Sequence, residues 1–301
     1  MIERYLLRYF LAVVDQGNFS RAAAHCHVSQ PTLSIGIAKL ERIAAARLLI
    51  RNNQRVELTA AGTRLMNHAR RIEREFNLAE QMAAAQTSGA PLRIGILNSI
   101  AGDILARAIA KAGMSTDGVI EFLPGNEREL LGRLDNGRVD LALTLLREGT
   151  DKHERVIIDE GYGIALSAAH PLADREEIAA KEVAFDAMIV RRHCEALSAT
   201  SRHFVARGIR PHFTFRSTND ERVMQMVAAG LGLTVMPMSY RWPGMARAKL
   251  KDFGQRRKIG FLRGSGVEEK GEWAAKIITA IEQALRDAAS KDQGKRSEES
   301  P

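Results

Sequence analysis

Apolar side chains at Leu6, Leu7, Phe10, Leu11 and Val14 recur every three or four positions, so residues 3–15 predict an amphipathic helix. Asp15-Gln16-Gly17-Asn18 ends it, and Ser20 suits an N-cap for a short helix over 21–27. After a turn at Val28, Ser29 can cap a third helix, with Gln30 and Pro31 in its first turn, where the missing proline N–H costs little. Leu33, Ile37 and Leu40 give that helix its buried face. A short helix, a tight turn and a longer helix make a helix-turn-helix. Two short apolar strands, 48–51 and 55–58, then flank the polar turn Asn52-Asn53-Gln54, which reads as a hairpin or wing. Thr59 can cap a long helix running to about residue 86. Along it Leu65, Ala69, Ile72, Phe76, Ala79 and Met82 keep a 4-3-4-3 spacing, the seam of a dimerising coiled coil. Packing of that face on the chain's own core is the plainer alternative.

Proline marks where this pattern stops. Pro31 is the only proline before Pro91, and Thr87-Ser88-Gly89-Ala90-Pro91 reads as a break. Beyond it, apolar runs at 92–97, 119–123, 139–145, 163–167, 187–190, 212–216, 233–236 and 259–262 alternate with helical stretches at 101–112, 127–136, 195–206 and 220–229. Asn126-x-x-Glu129 and Thr218-x-x-Glu221 resemble capping boxes. Such alternation predicts an α/β fold with largely parallel sheets. A last helix over 271–288 carries Trp273, Ile277, Ile281 and Leu285, and residues 290–301 read as a disordered polar tail.

Composition narrows the class. With 45% hydrophobic and 27% charged residues in 301, the chain has the balance of a soluble multidomain protein. No apolar run reaches a membrane span, the N-terminus lacks a signal-peptide pattern, and two cysteines cannot form a disulfide scaffold, so a cytoplasmic protein is expected. The net charge of +8 is unevenly placed. Residues 1–90 hold 12 Lys and Arg against 7 Asp and Glu, a surplus of five, and 11 of those 12 cations are Arg. Arginine forks bind phosphates and guanine edges, so the basic half points to a polyanion.

The run from Leu7 to Leu65 resembles the winged helix-turn-helix of LysR-type transcriptional regulators. The matching pieces are Phe10, Asn18-Phe19-Ser20, Ala22-Ala23, Ser29-Gln30-Pro31, Ser34, Ile37, Leu40-Glu41, Leu48, Arg51 and Leu58-Thr59-x-Ala61-Gly62. Leu92-Arg93-Ile94-Gly95, the segment 137–142 and the turn 227–232 resemble, more loosely, that family's effector domain. The resemblance implies a multidomain α plus α/β protein. A winged helix-turn-helix (1–58) would lead into a linker and dimerisation helix (59–87), a hinge (88–91) and a bilobed, periplasmic-binding-protein-like α/β effector domain (92–289). Lobe I would span about 92–160 and 263–289, and lobe II about 161–262. The chain departs from the family at Ala44, Ala45 and Leu49, where leucine-glycine and phenylalanine are usual. It departs also at Cys26, Ile35 and the mid-helix Gly36. Alanine in a left-handed cap costs about 1 kcal/mol, so the third helix is alternatively expected to run on into Arg47.

The resemblance implies a DNA-binding regulator without enzyme activity, acting as a homodimer or homotetramer on a promoter inverted repeat. RNA polymerase is a candidate further partner. Gln30, Pro31, Thr32, Ser34, Ile35 and Lys39 would face the major groove. Gln30 can pair with adenine and Ile35 can lie on a thymine methyl. Ser20 and Ser29 can hold phosphate, and Arg51 and Arg55 flank the wing. By the same resemblance Asn98, Ser99, Ile100, Gly125, Asn126, Arg191, His193, Thr218 and Asn219 would line an effector site between the lobes. Helix N-termini with hydroxyls suit an anionic metabolite, and Arg191, Arg192 or His193 would supply counter-charge. Cys194 beside His193 invites a redox reading, but an internal two-cysteine switch is excluded by counting. His25-Cys26-His27 cannot converge on a metal while helical, because successive residues turn about 100°. No catalytic motif, metal site or cofactor motif is found. The rival reading is a ligand-independent architectural DNA-binding protein.

Overall fold

The computed structural model describes residues 1–51, 56–85, 91–113, 118–147, 155–264, 267 and 270–290; at Arg51 and over 81–85 it describes the backbone only. The chain divides into two compact units, Met1–Pro91 with Leu131–Asp140, and Leu92–Leu130 with Leu141–Pro301.

The first unit is a helical head. Helices α1 (Arg4–Gln16), α2 (Phe19–His25) and α3 (Gln30–Ala44) are followed by strands β1 (Leu49–Arg51) and β2 (Val56–Leu58), an antiparallel pair, and by α4 (Ala60–Ala85). Leu6, Phe10, Val13, Ala22, Leu33, Ile37, Leu40 and Ala69 are all fully buried in one core. Each Leu, Ile or Phe so placed is worth about 1.5–3 kcal/mol. Two glycines are fixed by close approach. A Cβ on Gly36 would stand 2.6 Å from the Tyr9 ring, which explains a glycine in mid-helix, and one on Gly62 would stand 2.1 Å from the Leu48 carbonyl oxygen. Thr59 caps α4 as expected, its hydroxyl accepting from the Gly62 N–H at 2.9 Å.

Three local expectations are corrected. The cap of α2 is Asn18, whose side chain accepts from the N–H groups of Ser20 and Arg21; Ser20 is the second residue of the helix. α3 does not run on into Arg47, because Ala45 takes the left-handed cap at φ 48° in place of a glycine. Leu65 and Ala69 pack on the head's own core, so the seam of α4 divides: only Ile72, Phe76 and Ala79 are left exposed. The side chain of Met82 lies outside the described residues.

The chain beyond Pro91, most of it in the second unit, is α/β. It runs β3 (Leu92–Leu97), α5 (Gly102–Ala112), β4 (Ile120–Gly125), α6 (Glu127–Asp135), β5 (Leu141–Leu145), β6 (Val156–Ser167), β7 (Glu177–Ile178), β8 (Ala187–Arg191), α7 (Leu197–Val205), β9 (His212–Ser217), α8 (Asp220–Ala228), β10 (Thr234–Pro237), β11 (Met245–Leu250), β12 (Arg256–Arg263) and α9 (Gly271–Ser290). One sheet has the order β4-β3-β5-β12-β6-β11-β7, with β10 also on β6, and β8-β9 form a second. The sheets are mixed rather than largely parallel. β3 with β4 and β5, and β8 with β9, are parallel, but β6 and β12 pair antiparallel to each other and to their other neighbours β5, β10 and β11. The 12-residue β6 explains this. Its first half pairs with β12 and its second half with β10 and β11, so one continuous strand serves both lobes. Strands β7 and β11 are too short or too polar to have shown in the sequence. Among the described residues no helix is long and apolar enough to cross a membrane.

Ala45→Gly is expected to raise stability by about 0.5–1 kcal/mol, since glycine takes positive φ without strain. Urea unfolding would check it; a lower midpoint would contradict the left-handed cap.

Candidate nucleic-acid interface and effector crevice

The turn between α2 and α3 is held by short-range bonds. Ser29 Oγ accepts from the Thr32 N–H at 3.2 Å and lies 2.7 Å from Thr32 Oγ1. With Leu33, Ile37 and Leu40 facing the core, helical geometry turns Gln30, Pro31, Thr32 and Ile35 outward. Ser34 is half-buried and accepts from Gln30 Nε2 at 3.2 Å, so these two polar groups stand together one turn apart. Ile35 is 70% exposed, which no packing inside the head accounts for.

Lys39 is corrected. Its Nζ donates to Glu3 Oε1 at 2.7 Å and to Tyr5 Oη at 3.1 Å, so it is tied to the start of α1. The bond to Glu3 pushes its pKa up. Ser20 stays exposed, relieved of a capping role. Arg55 and the side chain of Arg51 lie outside the described residues. From α1, Arg4 Nε donates to the buried Glu73 of α4 at 3.1 Å while its guanidinium lies 4.5 Å from the centre of the Phe76 ring.

In the second unit the expected effector residues gather only in part. Ser99 is buried at the end of β3, Ile100 beside it, and the Asn98 N–H donates to the Gly125 carbonyl at 2.9 Å. Asn126 and Glu129 form the expected capping box. Thr218 is exposed and caps nothing; Asn219 caps α8 instead. His193 and Arg192 are exposed. Arg191 cannot supply counter-charge to a ligand: it is fully buried, its Nε donates to Asp220 at 3.0 Å, Nη2 pairs with the same carboxylate, and Nη1 donates to the Val235 carbonyl at 3.1 Å.

Residues not singled out in the sequence form a buried hydrogen-bonded cluster with Ser99. Arg257, on β12, is fully buried. Its Nε donates to Glu160 Oε1 at 2.9 Å, and its Nη1 to Ser99 Oγ and to Glu195 Oε1, both at 2.7 Å. Ser99 Oγ at 3.0 Å and Tyr162 Oη at 2.9 Å also donate to Glu195 Oε1. Glu160 accepts from the Ser239 N–H and hydroxyl. Burial works against the charge on Glu195, but Arg257 and Arg191 outweigh it and hold its pKa down at about 2. Burial and the neighbouring Glu195 push the Tyr162 phenol well up. The anion position expected at Ser99 is thus occupied in this structure by a carboxylate of the chain itself.

Cys194 borders an apolar cavity of about 250 Å³ in the second lobe, beside Met188, Phe204, Phe213 and Val235. Burial pushes its thiol up, with Arg191 opposing. Among the described residues no His, Cys, Asp or Glu cluster could hold a metal.

A helix-turn-helix head followed by a two-lobed α/β unit is the architecture of a DNA-binding protein with a separate ligand-binding domain. Residues 5–63 match the model of the bacterial regulatory helix-turn-helix protein, lysR family, and residues 85–266 match that of the LysR substrate binding domain. Similar proteins include the "Hydrogen peroxide-inducible genes activator" of Pectobacterium carotovorum subsp. carotovorum, 34% identical over 237 residues, covering 77% of this chain and 78% of that one. The "DNA-binding transcriptional dual regulator OxyR" of Escherichia coli (strain K12) is also 34% identical, over 77% of each chain. HinK, a LysR family transcriptional regulator from Pseudomonas aeruginosa, shares the fold at 21% identity and TM-score 0.52, over 96% of this chain and all of that one. The chain belongs to the LysR family of transcriptional regulators, with a DNA-binding head and an effector-binding domain.

The ionisation of Glu195 gives a pH dependence. Its folded pKa lies below its ordinary value, so its contribution is fully present above about pH 4.5 and is lost as pH falls towards 2. Urea unfolding at pH 6 and pH 3.5 should show wild-type stability falling more than that of Glu195→Gln. Equal losses would mean that Glu195 does not sit on Arg257.

Proposed function

We propose that this regulator reads an interrupted inverted repeat near its own gene with Gln30, Pro31, Thr32, Ser34 and Ile35, as a cytoplasmic homodimer or homotetramer. A small effector entering the crevice around Ser99, Arg257 and Glu195 changes the arrangement of its heads. RNA polymerase is the further partner at the promoter. Ile35 carries the reading: a large apolar side chain left 70% exposed on a helix that also presents Gln30 and whose other face is locked in the core. A thymine methyl and an adenine edge are the groups that pair suits. Ile72, 41% exposed, and Phe76, 45% exposed, support association along the outer half of α4. The matched substrate-binding domain disfavours a purely architectural role.

Gln30→Ala and Ile35→Ala should each weaken binding to the gene's own promoter about 5- to 150-fold, as expected for loss of one base contact. Affinity should fall with rising salt in every variant. Mobility shifts on folded protein check this, and wild-type affinity in both variants would remove α3 from the interface.

Hydrogen peroxide, the inducer named for the relatives, fits this chain less well. Cys194 is the one cysteine beyond residue 26, and its raised pKa leaves little thiolate to attack a peroxide. Peroxide treatment is expected to leave the promoter mobility shift unchanged. A peroxide-dependent change abolished by Cys194→Ser would establish thiol sensing instead.

A further inference from the structure

The crevice holds a carboxylate where a ligand's carboxylate would go. Glu195 comes from the segment between β8 and α7, yet its Oε1 sits on Ser99 Oγ after β3, on Tyr162 Oη of β6 and on Arg257 Nη1 of β12. Those three donors converge on a single oxygen, at 3.0, 2.9 and 2.7 Å, and this is how a protein receives a bound carboxylate. A second acid from the same lobe lies near the start of α5. Glu221, in the first turn of α8, brings Oε1 to 2.8 Å of where a Cβ would stand on Gly102, the first residue of α5. Both features that suit an incoming anion, the Ser99 hydroxyl and the start of α5, therefore already face a carboxylate.

The charges agree. Arg257 meets two carboxylates, Glu160 at 2.8 Å and Glu195 at 2.7 Å, so the cluster carries an excess negative charge before any ligand arrives. Arg191, the other buried guanidinium nearby, is taken up by Asp220. One group is left over: Glu195 Oε2 is buried and, among the described residues, has no hydrogen-bond partner. A buried carboxylate oxygen without a donor is costly, and a ligand that donates to it removes that cost.

We propose that Glu195 is a ligand the chain supplies to itself and that it sets the charge class of the effector. The crevice refuses small anions and takes a neutral or cationic molecule that donates a hydrogen bond to Glu195. This rests on the crevice being the effector site. Entry of such a donor bears directly on the contact that joins the β8–α7 segment to the end of β3.

Removing the side chain tests this by chemical rescue. Glu195→Ala deletes an acetate-sized group and leaves Arg257, Ser99 and Tyr162 facing the space. Full-length wild type and variant are melted in sodium acetate and in sodium chloride of equal ionic strength. The reading is the difference between the two proteins, so that anions on the basic head cancel. Acetate should raise the variant's Tm in a saturable way and leave the wild type no more stable than chloride does. Acetamide, the neutral analogue, should not substitute. If the variant does not stay folded, its refolding yield from urea is compared in the same two salts, and acetate should raise it. Equal effects of acetate on wild type and variant, or no effect on the variant, would overturn the proposal. Promoter footprints of the variant with and without acetate serve as a separate readout. Rescue of stability with an unchanged footprint would leave Glu195 as an internal ligand and refute the effector-site reading alone.

Discussion

The guanidinium of Arg257 is the group around which the second unit is arranged. A fully buried cation survives only if acceptors surround it, because the cost of leaving water is several kcal/mol per ion. Arg257 finds them on three separate stretches of chain: Glu160 on β6, Ser99 after β3 and Glu195 before α7. These stretches lie 97, 158 and 62 residues away in sequence, so the crevice cannot form until both lobes have. Removing one partner would strand the others, at about 3–5 kcal/mol for a buried pair. The long strand β6 makes this geometrically available, since it passes Glu160 and Tyr162 through the middle of the unit while pairing with strands of both lobes.

The head depends on a different constraint. Its recognition face is defined by what the opposite face buries. Leu33, Ile37 and Leu40 lock α3 in rotation, so the outward direction of Gln30 and Ile35 is fixed by packing rather than by contacts of their own. Local contacts then tie that surface to the first helix: Lys39 Nζ donates to Glu3 and to Tyr5.

Much of this was legible in the sequence where a side chain's role follows from its immediate neighbours. The stripe of α1, the Ser29 and Thr59 caps and the Asn126–Glu129 box depend on spacings of three or four residues, and they are where the pattern put them. The errors are also local, and each has a cause. Asn18 and Ser20 are both good caps two residues apart, and the backbone chose the first. Ala45 pays the strain of positive φ because the chain must turn there to begin the wing. The seam of α4 is periodic throughout, but periodicity does not say which core a side chain joins; Ala69 joined the head.

The crevice was illegible for the opposite reason. Glu195 reads as an ordinary acid before a helix, and Arg257 as one of three consecutive cations in Arg256-Arg257-Lys258. Nothing in either neighbourhood tells that strand alternation turns Arg257 inward while Arg256 stays exposed. Arg191 misled in the other direction, because its partner Asp220 lies 29 residues on. A crystal structure of the full chain grown from ammonium sulfate tests the central claim directly. The account predicts Glu195 within hydrogen-bond distance of Arg257, Ser99 and Tyr162, with no sulfate among them. A sulfate seated on Arg257 with Glu195 turned away would contradict it.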